Sequence, residues 1–286
     1  MIHQTLKKIQ FYILTKSVGF YLNVLSYIRP NHALTLSYAL FSQPRKGKGK
    51  LNIDNLPKTL QSSKLVKQEF DSHAFYSYIW EGSEDTILLV HGWESNASRW
   101  KKLIAHLKKT GKTIIAIDAP GHGLSNSKEF NVPTYAKFIE HMVSQYNPTT
   151  VIGHSIGGNA LAYFQKNFEH NITKMILIGA PADFEIILNN YFRMLSLNTS
   201  LQKAFKKKIK ERFNIVTSEF SATLFLESTT IDGIIAHDKE DDVVLYSEAI
   251  KLSNAWKNGQ LISTEGFGHS MHNESLYKTI TAFIEK

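Results

Sequence analysis

The strongest constraint in this chain is a junction. The sequence runs Val151-Ile152-Gly153-His154-Ser155-Ile156-Gly157-Gly158 and continues to Asn167 without a spacer. Thr149 to Ile152 reads as a buried strand and Ile156 to Asn167 as a helix. A strand that gives way to a helix so abruptly needs a tight, strained turn, and that turn falls on Ser155. Glycine suits positions 153 and 157, because side chains there would collide with the neighbouring strand and helix. Such a turn pushes the serine hydroxyl out at the carboxyl end of a sheet. It also aims the start of the helix at any oxygen reacting there. G-x-S-x-G alone is a weak signal, and its weight here comes from the strand before it and the helix after it.

The rest of the chain supplies a sheet for that junction. Leu65 to Phe70 and Ala74 to Trp80 read as two strands joined by the turn Asp71-Ser72-His73. Ile87-Leu88-Leu89-Val90 is a continuous apolar run, as expected of a strand buried on both faces. Strands are further predicted over 113–117, 174–178, 231–236 and 260–264. Helices are predicted over 97–109, 134–146, 246–256 and 276–285. This alternation argues for an α/β class with a mostly parallel sheet and helices on both faces. Residues 183–228 break it: they are helical in pattern, lie between two strands and carry a lysine-rich run from Lys203 to Arg212. They read as an inserted helical cap with that run on its solvated face.

Charge is placed unevenly. No acidic residue precedes Asp54, and eight of the 33 basic residues do, leaving 25 against 25 acids in the remainder. The excess therefore belongs to an N-terminal segment, and the body of the chain lacks the basic surface of a nucleic-acid-binding domain. Residues 1–50 read as an amphipathic helical segment followed by a linker, Gln43-Pro44-Arg45-Lys46-Gly47-Lys48-Gly49-Lys50. The catalytic domain is then expected over 51–286. Lys7 and Lys8 precede an apolar run, but Lys16 interrupts it and no small-residue cleavage site follows. That pattern argues against a signal peptide and against a spanning helix. The first helices are expected to pack on the catalytic domain. The sharper alternative is peripheral contact of residues 1–50 with an anionic membrane face. The expected location is cytoplasmic, at the inner membrane face if that contact is made.

A serine needs a base, and the base needs a carboxylate. Both should come from later strand ends. Residues 234–244 follow a strand and hold Asp238, Asp241 and Asp242, and Gly266-Phe267-Gly268-His269 follows the last strand. Four motifs then stand in order: His91-Gly92-Trp93, the loop from Asp118 through Ala119-Pro120-Gly121-His122-Gly123-Leu124 to Ser125, the turn around Ser155, and the turn at His269. Across residues 60–286 this set resembles the α/β-hydrolase fold family. The resemblance implies Ser155 as nucleophile, His269 as general base and the backbone N–H groups of Trp93 and Ile156 as an oxyanion hole. The family's acid commonly stands in D-x-x-V, which Asp241 meets with Val244; Asp238 is the alternative acid and Asp242 a third. His91 and His122 are expected to shape their loops, and His154 to be the variable position of the turn.

The implied chemistry is acyl transfer on a small acyl substrate, with a carboxylic ester or thioester first. It needs no cofactor or metal. The chain has no cysteine, and His237 with Asp238 lacks a third ligand. A serine at position 155 argues against the family's dehalogenases and epoxide hydrolases, which use aspartate there. Amide, lactone or carbon–carbon hydrolysis, acyl transfer and haloperoxidase-type chemistry remain open on the same residues. So does a catalytically silent, ligand-binding role, although a binding module has no need of all three groups. Substrate choice is expected to lie with the cap.

Overall fold

The computed structural model describes residues 2–45, 49–70 and 72–286. Lys46, Gly47 and Lys48 of the expected linker, and Asp71 of the first expected turn, lie outside the described residues. The described residues form eight strands, the first three consecutive and the rest separated by helices: β1 Lys64–Phe70, β2 His73–Trp80, β3 Ser83–Val90, β4 Lys112–Ile117, β5 Thr150–His154, β6 Lys174–Ile178, β7 Asp232–Asp238 and β8 Gly259–Thr264. The α-helices are α1 Ile2–Ile28, α2 Pro30–Ser42, α3 Lys58–Gln61, α4 Lys101–Leu107, α5 Val132–Tyr146, α6 Ile156–Asn167, α7 Phe184–Leu195, α8 Thr199–Phe213, α9 Ala222–Leu226, α10 Tyr246–Ala255 and α11 Glu274–Glu285. The helix predicted over 97–109 begins as a 3-10 turn, Ala97–Trp100, and only then becomes α4. Helix α5 begins as its sequence dictates: the Asn131 side chain caps the Thr134 N–H and a proline occupies the first turn.

The strands form one sheet in the order β1-β2-β4-β3-β5-β6-β7-β8. Strand β2 runs antiparallel to β1 and β4, and the remaining neighbours are parallel. Alternate residues of the central strands face opposite sides. Ile87, Leu89, Ile152, Ile176 and Ile234 pack with Leu103 of α4 and Ile280 of α11. Leu88, Val151, Leu177 and Ile235 point the other way and are equally buried, on the side where α5 packs against α6. That double burial is why the strands read as unbroken apolar runs.

Contacts divide the chain into two units. The sheet unit comprises Pro44–Ala182 and Ala222–Lys286, and the second comprises Met1–Gln43 and Asp183–Ser221. The inserted segment thus divides at Ser221 rather than closing at 228. Beyond that point Leu226 is fully buried, α9 packs on α6, and Gln165 Nε2 donates to the Phe225 carbonyl at 2.5 Å. Beyond Gln43, the described part of the expected linker belongs to the sheet unit, where the Gly123 N–H donates to Gly49 and the Leu51 N–H to Gly123.

The second unit is helical. Helices α1, α2, α7 and α8 share a core that includes Leu22, Tyr38, Leu188, Phe192 and Phe205. The Tyr191 hydroxyl donates to the Ser37 carbonyl at 2.7 Å. Lys16 Nζ donates to the Arg193 carbonyl and the Ser196 hydroxyl, closing the carboxyl end of α7 with a positive charge.

Asp118, at the end of β4, holds the loop that follows it. Its fully buried carboxylate accepts from the Ala97 N–H at 3.0 Å, the Leu124 N–H at 3.0 Å and the Tyr78 hydroxyl at 2.8 Å. Burial pushes the Asp118 carboxyl up, against the pull of those bonds. Asp118→Asn turns an N–H donor toward these donors. It is expected to cost about 2 kcal/mol of stability in urea unfolding, within the usual range for a buried group left unsatisfied. An unchanged unfolding midpoint would contradict this account of the loop.

Candidate active site

Ser155 lies between β5 and α6 with φ +53° and ψ −129°, a backbone conformation that L-residues rarely adopt. Its N–H donates to the Ile178 carbonyl at 2.9 Å, and its carbonyl accepts from Gly158 N–H at 2.9 Å. Two close approaches force the turn. A Cβ at Gly157 would meet the Val90 carbonyl oxygen and come within 2.5 Å of that of His91, and one at Gly153 would come within 2.6 Å of the Gly158 Cα. The expectation drawn from the sequence for both glycines therefore has a geometric cause.

The structure brings Ser155, His269 and Asp241 into one chain of hydrogen bonds. His269 Nε2 lies 3.0 Å from Ser155 Oγ, and His269 Nδ1 lies 2.7 Å from Asp241 Oδ2. With the Nδ1 proton given to the carboxylate, Nε2 is left as acceptor for the serine hydroxyl. Asp241 is fixed from its other side: its Oδ1 accepts from the Val243 and Val244 N–H groups, each at 2.9 Å. Burial pushes this carboxyl up, yet hydrogen bonding from His237, His269 and Val244 outweighs it. Asp241 is held well below the ordinary carboxylate range.

Asp238, the alternative acid, points elsewhere. Its Oδ2 accepts from the Thr264 hydroxyl at 2.7 Å and the Phe267 N–H at 3.1 Å, and its Oδ1 from the Glu240 N–H at 3.0 Å. It ties β7 to the turn that carries His269. His237 lies 2.8 Å from the Val244 carbonyl and 3.4 Å from Asp241 Oδ2, so it steadies the acid turn. Among the described residues no group of three His, Asp or Glu side chains could hold a metal ion.

The N–H groups of Trp93 and Ile156 sit on adjacent turns, because Val90 and Gly153 are paired in the parallel register of β3 and β5. Ile156 opens α6, so its N–H has no intrahelical acceptor. The Trp93 turn is held by two imidazoles. His122 Nδ1 bonds the Pro120 carbonyl at 2.9 Å and its Nε2 accepts from the Glu94 N–H at 2.9 Å. His91 Nδ1 bonds the Gly92 carbonyl at 2.8 Å and its Nε2 accepts from the Ala119 N–H at 3.0 Å. Both act as buried donor–acceptor pairs that shape loops, which requires each ring to stay neutral.

Three contributions lie outside the sequence reading. His154 is not an indifferent position: its buried Nε2 donates to the backbone carbonyl of His269 at 2.8 Å, and the two rings lie 4.9 Å apart. Arg99 Nη2 donates to the Ser270 carbonyl at 3.2 Å and so holds the same turn from the far side. The third is the role of His237. Of the three, only His237 carried a sequence signal, four residues before Asp241 at the end of a buried strand. His272, close in sequence to His269, bonds the Tyr277 hydroxyl at 2.6 Å instead.

A family model described as the alpha/beta hydrolase fold matches residues 85–230, about half of the chain. The chain belongs to that family. A serine hydrolase-like protein of Danio rerio is 30% identical over 171 residues, covering 51% of this chain and 52% of that protein. An uncharacterized protein of Mycobacterium tuberculosis is 32% identical over 120 residues, covering 41% of this chain and 35% of that protein. The chain thus spans about a third to a half of the length of these curated relatives. Among solved structures, an esterase from Exiguobacterium antarcticum superposes with a TM-score of 0.58 at 21% identity, over 74% of this chain and 96% of that one.

The neutral histidines give the site a pH signature. Burial pushes His122 down to about 4 from an ordinary 6.5, and pushes His91 and His154 well below it. In the unfolded chain these groups take up protons at the ordinary value. Between the two values the unfolded state therefore binds more protons, and stability falls as pH falls. Urea unfolding at stepped pH should show stability declining from pH 6.5 toward 4, by roughly 1 kcal/mol per pH unit for each such histidine. His122→Gln should remove one histidine's share of that slope, and a variant with the wild-type slope would contradict it.

Proposed function

We propose that the protein is a serine hydrolase that cleaves a carboxylic ester or thioester through an acyl-enzyme on Ser155. The observation that carries this reading is the continuous hydrogen-bond chain Ser155–His269–Asp241 on a turn strained to present the serine. As the Ser155 oxygen attacks the substrate carbonyl, His269 Nε2 takes its proton. The negative charge then forming on the carbonyl oxygen is received by the N–H groups of Trp93 and Ile156, each contributing about 3 kcal/mol to the transition state. Asp241 holds the imidazole in the required tautomer and stabilises the imidazolium. The alcohol or thiol leaves with the proton from His269. A water molecule, deprotonated by the same nitrogen, then releases the acid and restores the serine.

The depressed carboxyl of Asp241 suits this role, because the acid must stay ionised while its partner becomes charged. The esterase among the structural neighbours has the same fold. An ester or thioester is preferred to an amide because its leaving group departs more readily, so the triad and two N–H donors suffice.

A panel of p-nitrophenyl esters of graded chain length tests the reading. The wild type should hydrolyse at least one of them, and Ser155→Ala should lose about a million-fold in kcat. Asp241→Asn should lose about ten-thousand-fold, whereas Asp238→Asn should act mainly by lowering the melting temperature. Equal hydrolysis by Ser155→Ala would remove the acyl-enzyme, and a larger kcat loss at Asp238 would reverse the choice of acid.

A further inference from the structure

Helix α1 is apolar on two opposite faces. One face is accounted for: Leu22 is buried in the core of the helical unit, and Asn23 bonds the Ser196 carbonyl and the Asn198 N–H. On the opposite side Leu6, Ile9, Ile13, Phe20, Val24 and Tyr27 are all exposed, Phe20 at 72% and Tyr27 at 80%. Their spacings of three, four, seven, four and three residues place them in one row along the helix. A helix of 27 residues is about 40 Å long. A helix apolar all round is ordinarily covered all round, and large exposed apolar strips mark interaction sites.

Charge identifies what covers it. The unit built from Met1–Gln43 and Asp183–Ser221 holds eleven Lys and Arg against four acidic residues, a net charge of +7. The whole chain carries +8, so the sheet unit is nearly neutral. Two of those four acids are already taken, Glu185 by Lys206 and Glu211 by Lys207. Lys16, in the middle of α1, bonds a carbonyl and a hydroxyl rather than a carboxylate, so its charge is not neutralised there.

A second copy docked on this row would set one +7 unit against another, with like charges opposed. An anionic surface has the complementary sign. The row's chemistry also suits a lipid interface. Exposed Tyr12, Tyr21 and Tyr27 carry an apolar ring and a polar tip, the character that enriches tyrosine at the headgroup level. No described helix is long and apolar enough to cross a membrane. We propose that α1 lies in the plane of an anionic lipid bilayer surface, with Leu6, Ile9, Ile13, Phe20, Val24 and Tyr27 sunk to the acyl boundary. The lysines of the same unit supply the long-range attraction.

Co-sedimentation of the full chain with vesicles tests this independently of any hydrolytic activity. Phosphatidylcholine vesicles containing roughly 30 mol% phosphatidylglycerol should pellet the wild type at low salt, and pure phosphatidylcholine should pellet far less. Salt at about 0.5 M should weaken the anionic binding. The double variant Ile13→Glu/Phe20→Glu should partition at least about tenfold less. Both positions are exposed, so its melting temperature should match the wild type. Ile53→Glu, an exposed apolar position of the sheet unit, should bind as the wild type does. Three results would overturn the proposal. One is a wild type that stays in the supernatant with anionic vesicles. Another is a double variant that pellets as well as the wild type. The third is light scattering in which a dimeric wild type becomes monomeric in the double variant without vesicle binding by either.

Discussion

The first turn of α6 rests against the backbone carbonyl of His91 with no room for a side chain at Gly157. Much of the site follows from that contact. It holds the helix start beside the end of β3, so Ile156 and the turn at Trp93 follow paired strand ends. It also fixes where β5 must stop, and the chain turns through Ser155 at a φ of +53° because no longer path is available. Such a backbone costs on the order of 1–3 kcal/mol. The bonds from Ser155 to Ile178 and Gly158, and the burial of β5 on both faces, offset it. Register completes the constraint. A one-residue slip of β5 against β3 would part Val90 from Gly153 and send each inward side chain of β5 to the other face.

Imidazole does most of the remaining positioning, and burial is what makes it suitable. A neutral histidine offers one donor and one acceptor at opposite ends of a rigid ring. It can therefore clamp two loops that each have one unsatisfied backbone group. His122 does this between the Pro120 carbonyl and the Glu94 N–H, and His91 between the Gly92 carbonyl and the Ala119 N–H. His154 reaches the carbonyl of His269 itself. Protonation would leave each ring with two donors and no acceptor. His269 differs from these three in being only partly buried and in bonding a carboxylate at 2.7 Å.

The elements legible in the sequence were those that local pattern dictates. Strands buried on both faces read as apolar runs, and the helix expected from Thr134 begins two residues earlier, at Val132 behind its Asn131 cap. The turn at Ser155 is legible because its glycines are required by contacts within a few residues. The acid is a different matter. Asp238, Asp241 and Asp242 fall within five positions, and what separates them is the capture of Asp238 by Thr264 and Phe267, more than 20 residues away. The resemblance to family spacing favoured Asp241, but spacing contains no information about Thr264. The role of His154 is hidden for the same reason, since its partner is 115 residues distant. α9 is helical in pattern like the rest of residues 183–228, and its contacts with α6 assign it to the sheet unit.

Helix α1 shows where pattern fails in the opposite direction. Apolar residues at helical spacing predict a helix with one face to bury, and the natural expectation is that this face meets the catalytic domain. The structure gives α1 two apolar faces, of which α2 and α7 use one. Hydrophobicity says only that the second is unsatisfied in water. Sign of charge is the additional information, and it becomes legible only when residues 1–43 and 183–221 are counted together as one body. The basic N-terminal segment and the lysine-rich insertion are far apart in sequence. Brought into one unit, they make a single cationic element, while the sheet unit is nearly neutral. The neutral ester of the proposed function has nothing to gain from steering by positive charge, so that proposal leaves the excess without a role. The anionic surface we propose accounts for it, being itself charged and large enough to meet a row of six side chains along about 40 Å of helix.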